Sequence, residues 1–190
     1  MRKIMVVLFI LAGVMGAGYT AKAIHIFKVN EEYPISNNEK DIKKYVDQWQ
    51  TRAGEVHPVI MKIQRLGKSN TYVAYFKSRT GESGIAILKE GPNKNLQIRT
   101  THYGENDEDY YSEYYGVNTN KGRYGIIVGK DPTNKIDSVR AELVNDSFTF
   151  TVAVPRKDYF FIVKRLPSGV ENYQFANLYL LDEHRNEIRP

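Results

Sequence analysis

No cysteine occurs among the 190 residues. That removes disulfides, thiol nucleophiles, zinc ribbons, iron–sulfur ligation and lipid attachment through an N-terminal cysteine. Histidine is scarce, at positions His25, His57, His102 and His184. None of the four stands in an HExxH, HxH or Gly-x-Ser-x-Gly setting, so zinc-protease and serine-hydrolase chemistry have no motif here. Lys/Arg runs, an arginine-rich arm and a recognition-helix pattern are all missing, and nucleic acid is not an expected partner. Tryptophan is nearly absent too: one Trp stands against 14 Tyr and 8 Phe, a balance that favours β-rich packing over a helical bundle.

What is present begins with MRKIMVVLFILAGVMGAGYTAKAIHIF. Arg2 and Lys3 precede an uncharged run from Ile4 to Ala21, at the lower limit of a membrane span. Basic residues ahead of the span keep the N-terminus inside and place the rest of the chain outside the cytoplasmic membrane. Ala21-Lys22-Ala23 also fits a small-x-small signal-peptidase site, with cleavage after Ala23. The run is long for a signal core, however, and if Lys22 snorkels the span extends through Ile24 and Ile26. Residues 1–27 are therefore read as a signal anchor, with a cleaved signal peptide and secretion as the alternative. No polar face interrupts the run, which argues against a buried helix of a cytosolic domain. Setting aside Arg2, Lys3 and Lys22, the 27 basic residues become 24 against 22 acidic ones, so the formal +5 is partly a targeting feature.

Residues 28–35 read as a tether. In SNNEKDIKKYVDQWQTRAG, Ser36 and Glu39 have capping-box spacing. Ile42, Tyr45, Val46 and Trp49 follow as one apolar stripe, and Gly54 is placed to cap the C-terminus. The spacing predicts a helix over 38–52 that packs on a sheet. From His57 onward the period changes. PVIMKIQRL, TYVAYFKSR, GIAILKE and LQIRTTHY are short β-branched or aromatic runs divided by GKSN, TGESG and EGPNKN, the signature of an antiparallel meander. Val59/Met61/Ile63 and Val73/Tyr75 stand on alternating positions of its strands. Further on, RYGIIVG, IDSVRAELV, SFTFTVAV, DYFFIVK and YQFANLYLLDE predict five more strands. Phe148, Phe150, Val152 and Val154 alternate with Ser147, Thr149, Thr151 and Ala153, giving one dry and one wet face. The expected fold is α+β and mainly antiparallel β. It comprises a helix plus meander over 36–104, an acidic Tyr-rich connector over 105–122 and a β-sandwich-like module over 123–190.

The anchor ending in a Gly/Tyr-rich stretch, the capped helix and the run TYVAYFKSRTGESGIAILKEGPNKNLQIRTTHYG together resemble uncharacterised membrane-anchored extracytoplasmic proteins of Gram-positive, endospore-forming bacteria. LYLLDEHRNEIRP looks like the terminal strand and turn of their Ig-like modules, although a glycine usually sits where this chain has Arg185-Asn186. The resemblance implies a Gram-positive envelope setting. It brings no catalytic residues.

The segment ENDEDYYSEYYG, Glu105–Gly116, holds five carboxylates and four tyrosines. As a calcium loop it fails, lacking the Asp-x-Asp-x-Asp-Gly order. His102 with the following carboxylates, and Asp131, Asn134 and Asp137 in KDPTNKID, are oxygen-rich, yet each fits a solvated turn. Paired carboxylates for glycoside cleavage need an apolar pocket to raise one pKa, which a crowded loop does not provide. Tyrosine offers rigid amphipathic contact area, and the acidic field would draw a basic protein patch. Tyr110, Tyr111, Tyr114, Tyr115, Glu105, Asp107 and Asp109 are thus the expected contact residues for an envelope protein partner. The competing reading packs Tyr111 and Tyr115 inward on an edge strand or a helical turn while the acids solvate the loop. Lys62, Arg65, Lys68, Lys77 and Arg79 form a scattered basic set that would suit anionic lipid or teichoic acid. The expectation is a non-enzymatic, membrane-anchored binding protein of the cell envelope, with no metal or cofactor. A wall-directed hydrolase and a small-ligand sensor are the alternatives.

Overall fold

The computed structural model describes residues 22–50, 57–79, 81–103 and 110–188. The anchor segment 1–21, Gly54 and the acidic residues Glu105, Asp107 and Asp109 lie outside the described residues. Among those described, no helix is long and apolar enough to cross a membrane. The architecture is mainly antiparallel β with two short helices, α1 (22–32) and α2 (Glu39–Gln50).

The first sheet is the expected meander: β1 (Val59–Arg65), β2 (Thr71–Lys77), β3 (Ser83–Glu90) and β4 (Leu96–Tyr103), in that spatial order. A central sheet has the order β5 (Tyr111–Thr119), β6 (Gly122–Lys130), β9 (Tyr159–Arg165). A last sheet combines β7 (Ser138–Leu143), β8 (Thr149–Ala153), β10 (Ala176–Leu181) and the two-residue β11 (Glu187–Ile188) in the order β11-β10-β7-β8. The five strands expected after Arg123 are therefore shared between two sheets. The central one also recruits β5 from the segment read as a connector, through a nine-residue register with β6.

Three cores stack in series. Ile42 and Val46 of α2 pack on Ala74, Phe76, Ala86, Leu88, Leu96 and Ile98 of the first sheet. The opposite face of that sheet offers Val73, Tyr75 and Ile85 to Val117, Tyr124, Ile126 and Val128 of the central sheet. Beyond them Ile127 and Phe160 meet Val139, Ala141, Leu143, Phe150 and Leu180 of the last sheet. Full burial of one such side chain contributes about 1.5–3 kcal/mol, and β6 is buried along six consecutive positions because both its faces are covered.

Local departures from the expected pattern have local causes. Two backbone hydrogen bonds tie Ile35 to Leu96 on β4, so the chain must turn away from the sheet before a helix can start. The cap consequently falls on Asn38, whose side chain accepts the Asp41 backbone N–H at 2.9 Å, and not on Ser36 and Glu39. Trp49, expected in the apolar stripe, is 49% exposed. In β1 a bulge between Ile60 and Lys62 shifts the alternation: Ile60 and Ile63 pack toward α2, while Val59 and Met61 are exposed. That bulge, with Lys62 and Arg65, also guards an open sheet edge. β8 alternates as the sequence predicts.

The strand registers define two ends of the molecule. At one lie the β1–β2 turn, the β3–β4 turn and the tip of the β5–β6 hairpin, where the Asn70 N–H donates to Asn120 Oδ1 at 3.2 Å. Helix α1 joins this same end. Tyr33 is buried with its ring against Gly91 of the β3–β4 turn, in space that any Cβ would fill. Asn93 Nδ2 donates to Asn30 Oδ1 at 2.9 Å and to the Tyr33 carbonyl at 3.2 Å. The strand ends flanking the acidic residues 104–109 lie at the opposite end.

Candidate functional site

The tyrosine strand β5 is an edge of the central sheet, and its side chains point alternately into two cores. Tyr111 is 4% exposed, and its hydroxyl meets that of Ser83 on β3. Tyr115, on the same face, hydrogen-bonds to Glu113 and lies against the His102 ring, tilted by 40° with ring centroids 4.9 Å apart. On the other face the Tyr114 ring lies over Gly125, where a Cβ would collide with it, and its hydroxyl donates to the Tyr173 carbonyl at 2.9 Å. Burial pushes the Tyr114 phenol up to about 12 and raises Tyr111 and Tyr115 as well. Tyr110 packs against the last core, with the Lys135 ammonium 6.0 Å from its ring centre. Of the contact residues expected from the sequence, the structure thus joins Tyr111 and Tyr115 in one core and Tyr110 and Tyr114 in the next. The inward-packed reading describes Tyr111 and Tyr115.

The other oxygen-rich segment is structural. Asp131, 1% exposed, accepts the backbone N–H groups of Lys135 at 3.0 Å and Ile136 at 2.9 Å, holding the turn before β7 as an N-cap carboxylate would. Among the described residues no cluster of three metal-ligating side chains occurs. The scattered basic set is also divided. Lys62 lies 5.3 Å from the centre of the Phe161 ring and Lys77 lies 5.4 Å from that of Tyr159. Arg65 sits 3.8 Å from Glu90, and Arg79 lies in the β2–β3 turn.

Two grooves remain. The larger, about 440 Å³, opens at the far end beside the last sheet. Ile136, Val154 and Ile188 contribute apolar surface to it, and Lys135, Arg156, Asp137 and Glu183 supply charges of both signs beside the His184 ring. Its Asp182 carboxyl is held below the usual range by hydrogen bonds from Asn186 and His184, opposite to what a general acid needs.

The smaller groove, about 360 Å³, opens at the α1 end between the first and central sheets. Asn70, Thr71, Asn118, Thr119 and Asn120 line it together with Lys89 and Arg99 above Ile87. No carboxylate is among its lining residues. Lys68 and Lys121 stand in the adjacent β1–β2 and β5–β6 turns, both exposed. Among the described residues no carboxylate lies within ion-pair distance of Lys68, Lys89, Arg99 or Lys121, whereas Lys94 is held by Glu90 at 3.1 Å. Of this quartet only Lys68 falls in the basic set read from the sequence; the four come from two turns and two strands, and only the register brings them together. Protein-family models, curated proteins and solved structures were all compared with the chain, and none matches it.

Proposed function

We propose that this chain is a non-enzymatic, membrane-anchored binding protein of the cell envelope, its β domain held outside the cytoplasmic membrane. The observation that carries the reading is α1. Ile24, Ile26 and Phe27 are 56%, 50% and 62% exposed, a group of large apolar side chains that no other described residue covers. In sequence they continue the uncharged run 4–21, so burying them in a bilayer completes a span of adequate length. Lys22 and Ala23 are already helical, which suits an anchor that continues through them better than a cleavage point after Ala23. The buried Tyr33 joint then fixes the domain to its anchor in one orientation. The sandwich-like pairing of the central and last sheets would serve as the rigid body that presents a ligand surface, in the Gram-positive envelope setting that the resemblance implies.

The test is extraction of membranes from cells making the full chain with a C-terminal tag. The chain should stay in the pellet after alkaline carbonate and lose its tag when intact protoplasts are treated with protease. Release by carbonate, or a tag protected until the cells are lysed, would refute the reading.

A further inference from the structure

We infer that the groove at the α1 end is a seat for the headgroup of an anionic phospholipid, so that the domain rests on the membrane that anchors it. This rests on the anchored reading above and adds a surface and a ligand to it. If the span runs through Phe27, the five residues 28–32 separate it from the Tyr33 joint, about 8 Å at helical rise. That is about one Debye length in physiological salt, within which surface cations still feel a charged bilayer. Lys68, Lys89, Arg99 and Lys121 therefore stand where anionic headgroups are concentrated.

The groove adds shape to the charge. Its walls carry two cations, three asparagines and two threonines, donors suited to phosphate oxygens and headgroup hydroxyls. Its volume lies within the range of small-ligand sites. None of the acidic groups at this end is among the groove's lining residues. Glu31 and Glu32 line a different groove with Trp49, on the α2 face of the first sheet. Glu90 is engaged by Arg65, Lys94 and Tyr72. Asp146 and Glu171 belong to the corner beside the last sheet, where they bond to one another through a backbone N–H. A soluble anionic polymer shares the phosphate chemistry, but only a lipid surface is also brought to this end by α1.

The absence of native cysteine makes the test direct. Full-length Asn118→Cys and Pro155→Cys variants, fluorescently labelled, are reconstituted into phosphatidylcholine vesicles with or without phosphatidylglycerol and exposed to a headgroup-attached quencher. The expected result is stronger quenching at position 118 in phosphatidylglycerol vesicles, roughly twofold or more, with position 155 unchanged. About 1 M salt, which shortens the Debye length to about 3 Å, should abolish the difference. So should a Lys89→Gln/Arg99→Gln/Lys121→Gln variant that keeps its circular dichroism. Equal quenching of position 118 in both vesicle types by an anchored chain would overturn the inference and leave the anchor standing. Loss of the difference on adding inorganic phosphate at constant ionic strength would reassign the groove to a soluble anion. A chain that fails to float with either vesicle after carbonate treatment would sink the anchored reading, and this inference with it.

Discussion

The central and last sheets are built from similar strands but differ in what covers them. The last sheet buries one face and leaves Thr149, Thr151 and Ala153 in solvent. The central sheet is covered on both faces, so β6 carries Tyr124 to Gly129 without an exposed position and β5 sends tyrosines both ways. A strand buried on both faces, as β6 is from Tyr124 to Gly129, has no wet position at which a polar substitution is harmless. Errors there should be felt on both sides, whereas the last sheet should tolerate them on one.

The sharpest way to break that contrast is Ile127→Ala. Ile127 is fully buried on the middle strand, and its truncation is expected to cost about 4 kcal/mol by removing apolar contact and leaving a cavity. Thr151→Ala on the wet face of β8 should stay within about 0.5 kcal/mol. Denaturant midpoints of the two variants, read at constant m-value, check the difference. Equal losses would show that the wet face is covered by something else.

Next in size is Asp131→Ala, at about 2–3 kcal/mol, because two backbone N–H groups lose their buried acceptor. Asp131→Asn should recover part of the loss. If the alanine variant were neutral in thermal melts, the turn before β7 would not depend on this carboxylate.

The tyrosines give the contrast a pH signature. Unfolded phenols ionise near 10.0, whereas burial raises Tyr114 to about 12 and moves Tyr75, Tyr111 and Tyr115 upward too. A raised folded value means that the unfolded state loses its proton first. Stability from this source is whole below the unfolded value and falls as pH climbs from there through the folded one. The share of the phenolate absorbance that belongs to these four should therefore rise together with loss of circular dichroism. Titration of all fourteen tyrosines near their free value in a still-folded protein would contradict the packing of β5.

The smallest effect is expected at the terminal turn. Arg185 has φ 65°, a left-handed conformation that costs a residue with a Cβ about 1 kcal/mol or slightly more and glycine little. Asp182 otherwise braces this turn by accepting the N–H groups of His184 at 2.9 Å and Asn186 at 2.7 Å. Arg185→Gly should raise stability by somewhat under 1 kcal/mol, since glycine also loosens the unfolded chain. A lower melting temperature would mean that the arginine side chain holds more than its backbone strain releases.

The same contrast decides what could be read from sequence. β8 was legible because a wet face alternates with a dry one, and β1 to β4 because glycine- and asparagine-rich turns separate them. β5 was not, because tyrosine fills both faces and Glu113 sits among them, so a period of two has nothing to mark it. The Asn38 cap was hidden by a long-range bridge from Ile35 to Leu96, and the inward face of β1 by its bulge. Both are tertiary facts. The tyrosines drew notice as a contact surface for the property that makes them good core residues, large rings with a polar tip. The cationic groove went unseen because Lys89, Arg99 and Lys121 are each unremarkable alone.

The central claim is that α1 belongs to a retained anchor. The measurement that bears on it most directly is the intact mass of the chain recovered from washed membranes. The account predicts one species near 21.9 kDa that still begins with the Met1 segment, allowing for N-terminal methionine processing. A species that starts at Ile24, shorter by the first 23 residues, would contradict it.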